Sequence, residues 1–144
     1  MVHRETDRRA TERGGHQMIV FPIAPVVASR ARVGRWSTYF PKRYTEFKKE
    51  FAELLEQYKA TPTDALIYVK LDFYVQLPKT MSKKKKAEKE GKHCDNNADL
   101  DNYVKATLDS LEGKYYNNDK QIVMIRARKY WSNDGRVVFE MEGV

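Results

Sequence analysis

The chain has 144 residues, 41% hydrophobic and 33% charged, with 27 Lys and Arg against 20 Asp and Glu for a net charge of +7. That length fits one domain with its own core. No apolar run approaches the roughly 18 residues of a membrane helix, and the start, MVHRETDRRATERGGHQ, lacks the apolar segment of a secretory signal. The lone Cys94 leaves no internal disulfide, and with three scattered histidines it argues against a structural zinc site. The expected setting is a reducing cytoplasm and the expected partner a polyanion.

Residues 1–17 are polar, mixed in charge and broken by Gly14 and Gly15, and read as a disordered tail ahead of a domain over 18–144. MIVFPIAP (18–25) predicts a strand ended by prolines. SRARVGRWSTYFPKRY is a basic irregular loop in which Arg30, Arg32 and Arg35 stand among Trp36 and Tyr39. From about 41 to 59, Tyr44, Phe47, Phe51, Leu54, Leu55 and Tyr58 follow helical spacing, and Pro41 suits a first turn. Residues 61–64, TPTD, break the chain. Over 65–77 the pattern alternates, with Ile67, Val69, Leu71, Phe73 and Val75 on one side and Leu66 and Tyr68 on the other.

Between 79 and 92 seven lysines face only Glu88 and Glu90, and like-charge repulsion predicts an extended or mobile loop. A second helix is expected over 100–112, with Leu100, Val104, Thr107, Leu108 and Leu111 on one face and Gly113 as its C-terminal stop. Residues 121–131 alternate again, Asn133-Asp134-Gly135 signals a hairpin turn, and 136–142 closes the chain as a strand. The order β-α-β-α-β-β predicts an α+β fold, a single compact domain with a mixed β-sheet packed by helices.

In the second helix Asp101, Lys105, Asp109 and Glu112 fall on one flank, and Asp99 lies just ahead in the entry segment. The positive end of the helix dipole favours a negative charge at Asp101. Such a carboxylate pair, with coordination positions left open, suits Mg²⁺, which keeps water and accepts phosphate oxygens. The plainer alternative is a helix cap plus a surface ion pair contributing about 0.2–0.5 kcal/mol. His93 and Cys94 have no partners at ligand spacing, and Tyr115 and Tyr116 suit packing at the helix-to-strand turn.

The wider pattern Asp99-Leu100-Asp101-Asn102-Tyr103-Val104-Lys105-Ala106-Thr107-Leu108-Asp109, then Asn118-Asp119-Lys120-Gln121-Ile122, resembles the RusA family of Holliday junction resolvases, bacterial and phage-encoded endodeoxyribonucleases. SRARVGRWSTYFPKRYTEFKKEF resembles the family's front half, so the likeness spans roughly residues 18–141. The resemblance implies that Asp99, Asp101 and Asp119 are catalytic metal-binding aspartates and Lys105 the active-site lysine. It implies Mg²⁺ as cofactor, with Mn²⁺ as a substitute, and in-line displacement by water at phosphorus. One position departs from the family pattern, since Asn118 stands where an aspartate is common and removes one charge from the site.

A homodimer acting on four-way or branched DNA, with paired symmetric nicks in recombination and repair, is the implied function. For DNA contact the sequence offers Arg30, Arg32, Arg35 and the run Lys83, Lys84, Lys85 and Lys86, which can gather phosphates without reading bases. Trp36 and Tyr39 can stack on unpaired bases or pack against the first helix. Two other readings stay open: a branched-DNA-binding protein of the same fold that does not cut, and a basic RNA-binding protein.

Overall fold

The computed structural model describes residues 16–39 and 41–144. In chain order its elements are β1 (His16–Phe21), β2 (Arg32–Val33), β3 (Thr38–Tyr39), α1 (Lys42–Leu55), β4 (Ile67–Gln76), α2 (Lys83–Lys89), α3 (Leu100–Leu111), a 3-10 turn (Asp119–Gln121), β5 (Ile122–Ser132) and β6 (Arg136–Gly143). Four strands form one sheet in the order β1-β6-β4-β5. The β4–β5 pair is parallel and the other pairs are antiparallel. β2 and β3 make a separate two-stranded ribbon. The expected α+β domain with a mixed sheet packed by helices is what forms.

The period-two pattern of β4 decides which face is covered. Ile67, Val69, Leu71 and Phe73 are fully buried, opposite Val137, Phe139 and Met141 of the neighbouring strand. Against them α1 lays Tyr44, Phe47, Phe51 and Leu55, one stripe at helical spacing. α3 adds Tyr103, Ala106, Leu108 and Leu111. Phe21, at the end of β1, joins the layers by packing its ring within 5.0–6.3 Å of Phe51, Tyr58, Tyr115 and Phe139. Both long helices therefore cover one face of the sheet.

The inward face of α3 is turned slightly from the expected one. Tyr103 stacks on Phe73 with ring centroids 5.5 Å apart, so the seam runs through Tyr103 and Ala106, and Val104 is only partly buried. The large aromatic contact outweighs a valine's smaller apolar area.

Two expectations are corrected. The lysine run is helical in α2, not an extended loop. Ser82 caps it, accepting a hydrogen bond from the Lys85 N–H at 3.2 Å. Successive side chains splay about 100° apart around a helix, which dilutes the repulsion among Lys83 to Lys86. Lys86 and Lys89 in the last turn also favour the negative end of the dipole. Next to α2 a small cluster of Leu77, Cys94 and Trp131, with Met81 packed on it, gives the segment an anchor.

The turn at Asn133-Asp134-Gly135 does not make a hairpin, because β4 lies between β5 and β6. The turn instead carries the chain across the end of β4, where the Leu77 N–H donates to Ser132 O at 3.0 Å. Two strand spacings make roughly 10 Å, within reach of three or four extended residues. A Cβ on Gly135 would stand 2.7 Å from the Cβ of Ala24, so the bare backbone is what lets the crossing pack.

Of the expected disordered tail, residues 1–15 lie outside the described residues. His16 and Gln17 already belong to β1, paired with Glu142 and Met141. Among the described residues no helix is long and apolar enough to cross a membrane.

Candidate active site

The segment entering α3 is built on the free edge of β5. Gly91 N–H donates to Trp131 O (2.9 Å), Trp131 N–H to Lys92 O (2.8 Å) and Cys94 N–H to Lys129 O (2.9 Å). Asp95 then accepts from the Trp131 indole at 2.8 Å and sits beside Lys89, and these two hydrogen bonds hold its carboxyl below the usual carboxylate range. Lys129, on the covered face of β5, donates to Asn96 Oδ1 and Ala98 O at 2.7 Å each. The Asn96 amide in turn donates to the Tyr103 hydroxyl at 2.9 Å. A lysine in the sheet and a tyrosine in the helix thus fix the residues that lead to Asp99. Neither was singled out by the sequence, whose spacing gives no sign of contacts made across elements.

Asp99 is the extended residue before the first turn of α3 (φ −73°, ψ 133°) and makes no side-chain cap hydrogen bond. Asp101 lies in the first turn. Among the described residues both are exposed, and neither carboxylate has a hydrogen-bond or ion-pair partner. Lys105 pairs with Asp109 at 3.7 Å, one turn further along, and not with Asp101. The capping and ion-pair alternative for Asp99 and Asp101 therefore lacks the contacts it needs.

Asp119 stands at the other end of α3. The helix stops at Gly113, whose φ of +85° suits glycine. Glu112 Oε1 accepts from the Asp119 N–H at 3.2 Å. Asn118 Oδ1 accepts from the Lys120 N–H at 2.9 Å, so the departure from the family pattern serves as a cap for the 3-10 turn. Gln121 pins the turn to the segment that leads into β4. Its amide donates to Thr63 O (2.6 Å) and Ala65 O (2.9 Å), while its oxygen accepts from the N–H groups of Asn117 and Asn118, both at 2.8 Å.

Burial, then Glu112 and Asp109, pushes the Asp119 carboxyl above the usual range, partly offset by Lys105. The Tyr116 hydroxyl, which donates to Leu108 O at 2.6 Å, is pushed up by burial and then by the same three carboxylates. The structure thus gathers Asp119, Asp109, Glu112 and Lys105 at one end of α3, with Asp99 and Asp101 at the other. From Asp101 to Asp109 the rise along the helix is roughly 12 Å. Asp109 and Glu112 lie on the flank expected for them, yet their closeness to Asp119 follows from the return of the chain.

Among the described residues, the group of three His, Cys or acidic side chains whose ligand atoms all fall within 4.8 Å is His16, Glu140 and Glu142. It lies on the sheet face away from the helices. The Lys70 ammonium, 3.8 Å from both glutamates, already supplies the positive charge there.

The expected DNA-binding residues divide. Arg30 faces a cleft with Lys105, described below. Arg32 lies exposed in β2, and Arg35 sits 5.5 Å over the Trp36 ring. Trp36 is 89% exposed, so it does not pack on α1. The side chain of Tyr39 lies outside the described residues. Lys83, Lys84 and Lys85 are exposed on α2, and Lys86 is half-buried.

The model of the family described as Endodeoxyribonuclease RusA matches residues 22–142. The chain is also similar to the uncharacterized protein YqaN of Bacillus subtilis strain 168, 31% identical over an alignment of 102 residues, with 67% of this chain and 72% of the relative covered. The matched span runs from the end of β1 into β6 and contains the whole of α3 and the Asp119 turn, so the chain belongs to the RusA endodeoxyribonuclease family.

Proposed function

We propose that the protein is a Mg²⁺-dependent, structure-selective endonuclease that resolves Holliday junctions and related branched DNA by paired symmetric nicks, in recombination and repair in the cytoplasm. The observation that carries this reading is the pair of exposed, unpartnered carboxylates of Asp99 and Asp101 at the start of α3, on an entry loop pinned by Lys129. The donor set suits the cation: carboxylate oxygens are hard ligands, and the Asp119 carboxyl, pushed up by burial and then by Glu112 and Asp109, has neighbouring negative charge that a cation would offset. Asp99 and Asp101 would hold Mg²⁺, or Mn²⁺ in its place, which would supply an activated water and neutralise charge on the phosphate, and Asp119, at the opposite end of α3 here, would have to approach them to share the ion.

The chain's own groups do the rest. Lys105, two-thirds exposed and tied only loosely to Asp109, is free to swing onto a non-bridging phosphate oxygen as charge grows there. The rigid entry loop keeps Asp99 in place, so little ordering remains to be done when substrate arrives. A homodimer places one such site on each of the two symmetry-related strands of a four-way junction.

The test is a synthetic four-way junction incubated with Mg²⁺, using the parent and Asp101→Asn. Paired symmetric nicks by the parent, with a variant that binds but does not cut, are the expected result. A gel shift without nicks from the parent identifies a binding protein of the same fold. Absence of branch preference overturns the reading altogether.

A further inference from the structure

Between α1 and α3 lies a cleft of about 520 Å³ lined by Ala28, Ser29, Arg30, Tyr44, Thr45, Lys48, Asn102, Lys105 and Asp109. Three separate elements each send one cation to it: Arg30 from the segment after β1, Lys48 from α1 and Lys105 from α3. Among the described residues the one carboxylate in the lining, Asp109, is already engaged by Lys105 at 3.7 Å. The remaining lining is neutral, polar at Ser29, Thr45 and Asn102 and apolar at Ala28 and the Tyr44 ring.

The cleft is also firmly built. Ala28 N–H donates to Asn102 O at 2.8 Å, which fastens the Arg30 segment to the first turn of α3. Tyr44 is 5% exposed and forms the floor, with the Lys48 ammonium 5.3 Å above its ring. Asn102, Lys105 and Asp109 follow one another at helical spacing along the wall, and Tyr44 and Lys48 do the same opposite. The two walls are held by the packing of both helices on the sheet.

We propose that this cleft is a nucleotide subsite that seats one phosphodiester and its sugar beside the phosphate that is cut, with Lys48 as a phosphate-binding residue. Among the described residues two surplus positive charges and no free carboxylate select an anion. The volume lies in the range of small-ligand pockets and takes one nucleotide unit but not a duplex. Arg30 offers a planar fork to two phosphate oxygens, while Lys48 acts as a point charge that tolerates variation in strand path. The apolar patch at Ala28 and Tyr44 suits the sugar. Lys105 belongs both to this cleft and to the proposed active site, and Asn102 of the lining adjoins Asp101 in the chain, so a strand seated here can continue toward Asp101. The inference rests on the DNA-cleaving reading for the identity of the ligand, but not on cleavage itself.

The test therefore reads binding in EDTA, where no cutting contributes. Lys48→Gln is expected to weaken four-way junction binding by about tenfold, the order of one charged contact. The slope of log affinity against log salt should fall by about 0.9. Lys48→Arg should restore both, whereas a lysine that only packs on Tyr44 leaves the salt slope unmoved. Junctions carrying single neutral methylphosphonates around the cut position provide the second measurement. One position should penalise the parent and add nothing to Lys48→Gln. An unchanged salt slope, or penalties additive at every position, overturns the subsite. Coupling at one phosphate in a protein that never nicks leaves the subsite standing and removes the nuclease. Nicking without coupling does the reverse.

Discussion

Gln121 makes four hydrogen bonds with one side chain, and they decide where Asp119 stands. Each such bond contributes about 0.5–1.5 kcal/mol, and part of the surrounding backbone can turn to water when they are lost. Gln121→Ala is therefore expected to cost about 2–4 kcal/mol in urea unfolding, and to slow cleavage more than it weakens junction binding. An unaltered cleavage rate would separate the clamp from the site. Gly135→Ala acts differently, since the new methyl meets Ala24 at 2.7 Å against backbone that cannot yield freely. Overpacking of this kind costs about 1–3 kcal/mol, read as a lower midpoint with an unchanged m-value.

Asp119 offers a test of opposite sign. Its carboxyl is raised by burial and by Glu112 and Asp109, so protonation favours the folded state. Stability from this group is present at low pH and is lost as pH rises from the unfolded value, near 3.9, through the raised folded one. At neutral pH the ionised group is a liability unless a cation answers it. Asp119→Asn should then melt above the parent in EDTA at pH 7, yet gain less from millimolar Mg²⁺. For the parent, Mg²⁺ at 100 times its dissociation constant would add about 2.7 kcal/mol. A variant that gains as much as the parent would remove Asp119 from the metal site.

At the scale of elements, α2 is a helix of seven residues that would not stand alone in water. Ser82 at one end and the Lys89–Asp95–Trp131 contacts at the other hold it. Ser82→Ala should cost the segment about 1 kcal/mol, accelerating amide exchange over 83–89 while β4 and β6 stay protected. The same element shows what a sequence can and cannot disclose. Alternation over Ile67 to Phe73 and the stripe from Tyr44 to Leu55 are local patterns, and the strand and helix they predict both form. The lysine run misleads because charge density speaks of repulsion, whereas a cap and a tryptophan from a distant strand supply the compensation. Asn133-Asp134-Gly135 correctly marks a reversal, but which strand lies beside β6 depends on β4, sixty residues earlier in the chain. The site divides likewise. Asp99 and Asp101 stand out from their spacing at a helix start and Lys105 from the family resemblance, while the contacts of Lys129 and Gln121 and the place of Lys48 in the cleft arise only between elements.

For the whole molecule, the net charge of +7 is not spread evenly around the proposed site. Arg30, Lys48 and Lys105 line the cleft between the helices, whereas α2 lies against the edge of β5, beyond the entry loop that leads to Asp99. A bound junction long enough to occupy the cleft can therefore extend toward α2, and the contribution of the lysine run depends on its being helical. Four consecutive residues on a helix point in directions spread over most of a full circle. One DNA backbone can meet about two of Lys83, Lys84, Lys85 and Lys86 at once, where an extended loop could present all four. Replacing the four with serine should thus lower the salt slope by about 2, at about 0.9 per lost duplex contact, and not by the roughly 3.6 of four contacts. Linear and branched DNA should weaken by similar factors, because phosphate contacts carry no shape information of their own. The positions of the nicks and the rate at saturating junction should stay as in the parent, since the substitutions leave Asp99, Asp101, Lys105 and Asp119 in place. A fall of nearly 4 would mean that α2 unwinds on DNA. An unchanged slope would confine docking to Arg30, Lys48 and their neighbours.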